Sequence, residues 1–90
     1  MSAYRVEFTK SAKKEFDRLP KKIQEKALEA VSFLAHNPFS EFLKFKKIKG
    51  ADSLYRIRMG DYRIVYEVRN EILVIIVIKI GHRKEVYRHL

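Results

Sequence analysis

The residues of this chain that could do chemistry are mainly arginines, found in two stretches of the sequence. The set comprises Arg56, Arg58, Arg63 and Arg83, with His82, Lys84 and Tyr87 close to the last of them. A guanidinium group stays charged at physiological pH and can hold two oxygens of one anion. Arginines and a histidine on a protein surface are also often simply solvated. The set therefore predicts either an anion site or a basic, solvated face, and the elements that carry it must decide between them.

A hairpin would bring the first three arginines together. Residues 54–59 and 62–69 have the composition of strands, and Gly60-Asp61 suits a two-residue type II′ loop because glycine accepts a positive φ. In that register Arg58 faces Arg63 and Arg56 faces Val65. Like charges that face each other across strands destabilise a sheet unless water or an anion relieves them. The other side of the hairpin carries six apolar residues: Tyr55, Ile57, Met59, Tyr62, Ile64 and Tyr66.

The remaining elements follow from hydrophobic spacing. Residues 3–9 alternate as a strand does, Thr9 or Ser11 can cap a first helix, and Pro20 suits the first turn of a second helix that ends at Asn37-Pro38. Residues 72–80 are apolar on both faces, which predicts an interior strand. The turn before them is predicted at Asn70-Glu71, which places Tyr62 beside Lys79, and Gly81 is expected to interrupt the strand.

This order, β-α-α-β-β-β with a further short strand at 45–49, predicts an α+β two-layer sandwich. A mostly antiparallel sheet carries a helical hairpin on one face. The arginine face is then open, and it should also expose a strip of aliphatic residues: Val65, Val74, Ile76 and Ile78. An exposed strip of this kind is typical of a surface that a partner covers.

Length and composition limit the class of protein. The chain has 90 residues, 47% of them hydrophobic, which predicts a single domain over 1–90. It has no cysteine, which excludes disulfides, thiol catalysis and cysteine-based zinc sites. No signal peptide and no run of 18 apolar residues is found, so a cytoplasmic protein without membrane contact is expected. His82 and His89 lack neighbouring carboxylates at metal-ligand spacing, so neither a metal nor another cofactor is expected.

The net charge is +9, from 20 basic and 11 acidic residues, which favours a polyanionic partner. Residues 41–63 carry seven basic and three acidic groups. The basic residues expected to contact a polyanion, in addition to Arg56, are Lys44, Lys46, Lys47, Lys49, Lys84 and Arg88.

Two segments of the sequence resemble the RelE toxins of toxin–antitoxin modules. They are Leu54-Tyr55-Arg56-Ile57-Arg58-Met59-Gly60-Asp61-Tyr62-Arg63-Ile64-Val65-Tyr66 and Val77-Ile78-Lys79-Ile80-Gly81-His82-Arg83-Lys84-Glu85-Val86-Tyr87. The resemblance implies a type II toxin that enters the ribosomal A site and cuts mRNA there. It implies attack of a ribose 2′-OH on the adjacent phosphate, without metal.

The resemblance also implies roles for individual residues. The family's basic first-strand positions fall on Arg56 and Arg58, and its later site positions fall on Arg63, Arg83 and Tyr87. The expected catalytic residues are Arg58, Arg63, Arg83 and Tyr87, with His82 as a further candidate. Tyr87 or His82 would move protons, with Tyr87 preferred by the resemblance and His82 because imidazole groups commonly act as general acids and bases. A RelB-like antitoxin would cover the aliphatic strip and the arginines in a toxin–antitoxin complex, for example a heterotetramer.

Two other functions stay open at the level of the sequence. The ParE branch of the same superfamily inhibits DNA gyrase by binding and is not a nuclease. A basic module that binds RNA or the ribosome without chemistry would show the same charge.

Overall fold

The computed structural model describes residues 3–39, 45–48 and 53–82. Within these ranges the chain forms two helices, α1 (Lys10–Asp17) and α2 (Lys21–His36), and five strands: β1 (Arg5–Phe8), β2 (Lys46–Lys47), β3 (Leu54–Met59), β4 (Tyr62–Arg69) and β5 (Val74–His82). The strands form one sheet in the order β1-β5-β4-β3-β2, in which β1 and β5 are parallel and the other pairs antiparallel. The predicted α+β architecture is confirmed. No described helix is long and apolar enough to cross a membrane.

The first helix begins where the sequence predicts, and the second begins one residue later than predicted. The Thr9 hydroxyl accepts a hydrogen bond from the Ala12 N–H at 3.1 Å, which caps α1. Pro20 is the N-cap of α2, one position before the first turn, and it makes no side-chain capping bond. Both helices bury small or aliphatic side chains in the core: Ala12, Ala27, Ala30, Val31 and Leu34.

The β3–β4 hairpin has the predicted register. Tyr55 pairs with Tyr66 and Ile57 with Ile64 on the core side, and Gly60 in the loop has φ +62°. Tyr66 is fully buried, and its hydroxyl donates to the Pro38 carbonyl at 3.0 Å. Burial, together with the neighbouring Tyr55, raises the pKa of the Tyr66 hydroxyl well above its ordinary value near 10. This buried bond ties the segment after α2 to the central strand.

The predictions for the last strand are wrong in position. β5 begins at Val74, two residues later than expected, because the turn occupies residues 70–73 with Leu73 at φ +53°. A bulge beside Val65 and Tyr66 then shifts the register by one more residue. Tyr62 therefore faces His82 and not Lys79, and Gly81 continues the strand opposite Arg63.

The prediction of an exposed aliphatic strip is wrong for two of its four residues, Val65 and Val74. Val65 is 0% exposed and Val74 2% exposed, whereas Ile76 and Ile78 are half-buried. Val65 lies in register between Arg56 and Lys79. A short side chain between two long ones has little contact with solvent, because long basic side chains lay their aliphatic stems over neighbouring apolar surface.

Candidate active site

Arg58 and Arg63 face each other across β3 and β4, as predicted, on the side of the sheet away from the core. The Arg58 Nε donates to the Gly60 carbonyl at 3.3 Å, and an Arg63 terminal nitrogen donates to the same oxygen at 3.0 Å. That nitrogen of Arg63 also lies 3.0 Å from the Tyr62 carbonyl oxygen. Because both guanidinium groups contact one oxygen, they are close enough to bind one phosphate together.

The charges of this pair are not neutralised within the part of the chain that the structure describes. Ion pairs there join Arg5 to Glu7, Lys13 to Asp17, Arg69 to Glu67 and Lys79 to Glu15. Arg5 and Arg69 flank Val74 at the other end of the same face. The face is therefore neutral at one end and positive at the end with the hairpin loop, which favours an anion at that end.

The short edge strand adds positive charge to one side of this site. Lys46 pairs with Arg56, so the two share a cross-strand row on the arginine face. Lys47 pairs with Tyr55 and belongs to the core-side row. Both lysines are exposed and Arg56 is half-buried. The structure therefore groups Lys46, and not Lys47, with the arginines.

His82 lies on the opposite face of the sheet from Arg58 and Arg63. It shares a row with Tyr62 and Met59, and its ring lies edge-on to the Tyr62 ring with the centroids 5.8 Å apart. Strand residues alternate between faces, so the row of Tyr62 and the row of Arg63 point in opposite directions. The sequence predicts His82 close to the arginines, and the structure places it on the opposite face of the sheet from Arg58 and Arg63.

Gly81 is a feature of the site that sequence reasoning missed. It faces Arg63 within β5 and brings no side chain into the row of Arg58 and Arg63. The sequence contains a signal for it, because a glycine inside an apolar strand often marks a bulge or a close approach of backbone to a ligand.

Six residues predicted to belong to the site lie outside the described residues: Lys44, Lys49, Arg83, Lys84, Tyr87 and Arg88. Among the residues described, three or more His, Asp or Glu side chains do not cluster in a way that could hold a metal ion.

Comparison with known proteins adds a second line of observation. A family model described as the ParE toxin of type II toxin–antitoxin systems matches residues 6–87. The chain is 33% identical to the putative toxin RelE1 of Methanocaldococcus jannaschii, over 96% of this chain and 97% of that protein. It is 32% identical to the mRNA interferase toxin RelE of Escherichia coli, over 94% of this chain and 90% of that protein.

The fold of this chain is also similar to that of a solved structure from the same family. The chain superposes with a TM-score of 0.80 on a chain of the archaeal RelE–RelB complex from Pyrococcus horikoshii. The two are 34% identical, over 92% of this chain and 98% of the other.

Proposed function

The chain belongs to the RelE family of toxins from type II toxin–antitoxin modules, and from that premise we propose that it is an endoribonuclease that cuts mRNA in the ribosomal A site. The E. coli relative carries the name mRNA interferase, which supports endoribonuclease activity. Because mRNA and ribosomes are its proposed targets, the proposed place of action is the cytoplasm.

The observation that carries this proposal is the contact of Arg58 and Arg63 with one oxygen of the hairpin loop. In the proposed reaction, a ribose 2′-oxygen attacks the adjacent phosphorus and the bond from phosphorus to the 5′-oxygen breaks. The 2′-OH loses its proton and the leaving 5′-oxygen gains one, giving a 2′,3′-cyclic phosphate and a 5′-OH. Negative charge accumulates on the phosphoryl oxygens, and fixed cations that meet it there are usually the largest catalytic contribution.

The proposed roles follow from this chemistry. Arg58, Arg63 and Arg83 stabilise the phosphoryl oxygens, while Arg56 and Lys46 hold the flanking backbone of the RNA. Tyr87 transfers the proton or stacks on a displaced base. The position of His82 on the other side of the sheet counts against a role for its imidazole in the proton transfer.

A second candidate function is inhibition of DNA gyrase by binding. It has support from the matched family model, whose description names the ParE toxin. In that case the same basic face would bind DNA gyrase without cutting RNA. A purified preparation added to translating ribosomes, followed by mapping of RNA 5′ ends, separates the two. Cuts within A-site codons support the proposed nuclease activity. Intact mRNA, together with inhibition of DNA supercoiling by gyrase in a separate assay, supports the ParE-like function. Binding to RNA or ribosomes with neither effect supports a non-catalytic module.

We also propose a RelB-like antitoxin as the physiological partner. The archaeal structure that resembles this chain is a complex of RelE with RelB. Charge complementarity favours a partner segment with Asp or Glu near Arg58 and Arg63, and aliphatic residues over Ile76 and Ile78. Co-expression with the neighbouring small open reading frame and pull-down at physiological salt tests this. Harmless expression of the chain alone, with no stable complex, would remove the toxin–antitoxin function.

A further inference from the structure

β5 is longer than β1, its neighbour on one side. The second half of β5 therefore needs another hydrogen-bond partner on the side of β1. β1 pairs with β5 over Val74–Val77, and no other described strand pairs with the segment from Ile78 to His82 on that side. The free edge of a sheet leaves peptide N–H and C=O groups without partners, and such groups are satisfied by other parts of the chain when they are buried. α1 follows β1 directly and packs against β5.

Two side chains from this part of the chain replace the missing strand. The Thr9 hydroxyl donates to the Ile78 carbonyl at 3.4 Å. The Glu15 carboxylate accepts from the Ile80 N–H at 3.0 Å with one oxygen and from the Lys79 ammonium at 2.9 Å with the other. The Glu15 and Lys79 side chains are only 27% and 17% exposed, so solvent screens this ion pair less than it screens a surface pair.

These contacts lie just after the bulge, where β5 could pair with β4 in either of two registers. Before the bulge, Tyr66 pairs with Val77, and a continuous ladder from that pair would place Lys79 opposite Ile64 on the core side and Ile80 opposite Arg63. The observed register places Ile80 opposite Ile64 in the core and Gly81 opposite Arg63. A slip of one residue moves every following side chain to the other face of the sheet.

The proposed active site depends on which register is kept. In the observed register the residue beside Arg63 is a glycine, which brings no side chain into the row of Arg58 and Arg63. In the slipped register Ile80 would stand beside Arg63, and every later residue would change face.

We propose that Glu15 is a positioning residue for the arginine site. By binding the Ile80 N–H and Lys79, Glu15 holds the end of β5 in the bulged register and keeps Gly81 beside Arg63. The expected effect on RNA cleavage rests on the proposed function, whereas the expected effect on register does not.

The test compares three variants of the full chain. Glu15→Ala removes both contacts, whereas Glu15→Gln keeps a side-chain oxygen that can accept from the Ile80 N–H. Glu29→Ala, an exposed residue of α2, is the matched control for loss of a helical glutamate. Two measurements report on register: hydrogen exchange of the Ile80 amide, and the NOE between backbone protons of Arg63 and Gly81.

In Glu15→Ala we expect faster exchange at Ile80, loss of the Arg63–Gly81 NOE, and unchanged exchange in the β3–β4 ladder. With ribosomes in excess, the cleavage rate should fall about 10- to 100-fold while ribosome affinity is retained, because small displacements of catalytic groups cost rate more than binding. Glu15→Gln should retain the NOE and most of the rate, and Glu29→Ala should match the parent.

The inference is overturned if Glu15→Ala keeps the Arg63–Gly81 NOE, or if Glu15→Gln loses as much rate as Glu15→Ala. A parent chain that cuts no RNA would contradict the proposed function instead. The NOE and the exchange rate of the Ile80 amide would then still decide whether Glu15 sets the register.

Discussion

Arg58 and Arg63 face each other across neighbouring strands, where two positive charges raise the free energy of the folded sheet. The Gly60 carbonyl accepts from both guanidinium groups and offsets part of this repulsion with its dipole. A phosphate carries full negative charge and would offset more. At the residue scale, we therefore expect a bound anion to replace the Gly60 carbonyl oxygen as the acceptor of both guanidinium groups.

The first prediction concerns the two charges of this pair and that of Arg83. Arg58→Ala, Arg63→Ala and Arg83→Ala should each lower the rate of mRNA cleavage about 10²- to 10³-fold, because in the proposed reaction each removes a cation that stabilises the phosphoryl oxygens. Growth arrest on expression and cleavage by purified protein are the measurements. Arg69→Ala is the matched control, since Arg69 is paired with Glu67 at the other end of the face. Equal loss in the control would contradict the assignment of the site.

His82 gives a second prediction at this scale. Because its ring contacts Tyr62 on the other side of the sheet, His82→Gln should leave the pH dependence of cleavage unchanged between about pH 5 and 8, where an unperturbed histidine titrates. The measurement is a pH–rate profile of parent and variant under single-turnover conditions. Disappearance of an inflection near the ordinary histidine pKa would assign the proton transfer to His82 after all.

At the scale of elements, the β3–β4 hairpin is held from the core side by aromatic side chains. Tyr55 contacts the rings of Phe39 and Phe45 edge-on, at centroid distances of 5.3 and 5.9 Å, and stacks on Tyr66. These contacts join the chain after α2, the edge strand and the hairpin. The strand that carries Arg56 and Arg58 is thus fixed by its buried face, and both arginines lie on the opposite face.

Tyr66→Phe tests this arrangement. The variant removes the bond to the Pro38 carbonyl and should lower the free energy of unfolding by about 1–3 kcal/mol near neutral pH, since a buried acceptor loses its donor. The raised pKa of Tyr66 in the folded state means that only the unfolded chain loses this proton just above pH 10. Stability from this group is therefore complete below about pH 10 and is lost as the pH rises further.

Urea unfolding at neutral pH and above pH 10 measures both effects. The gap between parent and Tyr66→Phe should narrow at the higher pH, because the variant has no proton to lose at this position. A gap that stays constant or widens would show that the buried hydroxyl does not titrate as described.

At the scale of the whole molecule, the chain has a net charge of +9, and its described part carries charge unevenly over one face of the sheet. Among the described residues, the arginine face is neutralised by ion pairs near Val74 and remains positive near the hairpin loop. A polyanion approaching this face is therefore attracted to the end where Arg58 and Arg63 lie.

This distribution predicts a steep dependence of RNA or ribosome binding on salt. The affinity of the parent should fall as ionic strength rises from low to physiological values, because binding releases counterions from the phosphates. Replacing Lys46 by Ala should reduce the slope of log affinity against log salt by about one unit. Filter binding over a salt series measures this. A flat response in the parent would exclude the basic face as the contact.

Much of this protein is determined by its sequence because the signals are local. The Gly60-Asp61 loop and the alternation on each side of it predict the whole register of the hairpin, including Arg58 opposite Arg63. The helix cap at Thr9 and the apolar stripe of α2 are also visible in the spacing of residues.

Only the tertiary structure decided where β5 lies along β4. A four-residue turn and a bulge together move the partner of Tyr62 from the predicted Lys79 to His82. Neither has a strong local signal, because Leu73 is an unusual residue for a positive φ and β5 is apolar on both faces, so its pattern fits more than one register. The register is instead set by contacts between elements far apart in the sequence, among them Glu15 of α1 with Lys79 and Ile80. These contacts place Gly81 beside Arg63 and His82 on the opposite face. A displacement of β5 by one residue would move each of these side chains to the other face of the sheet.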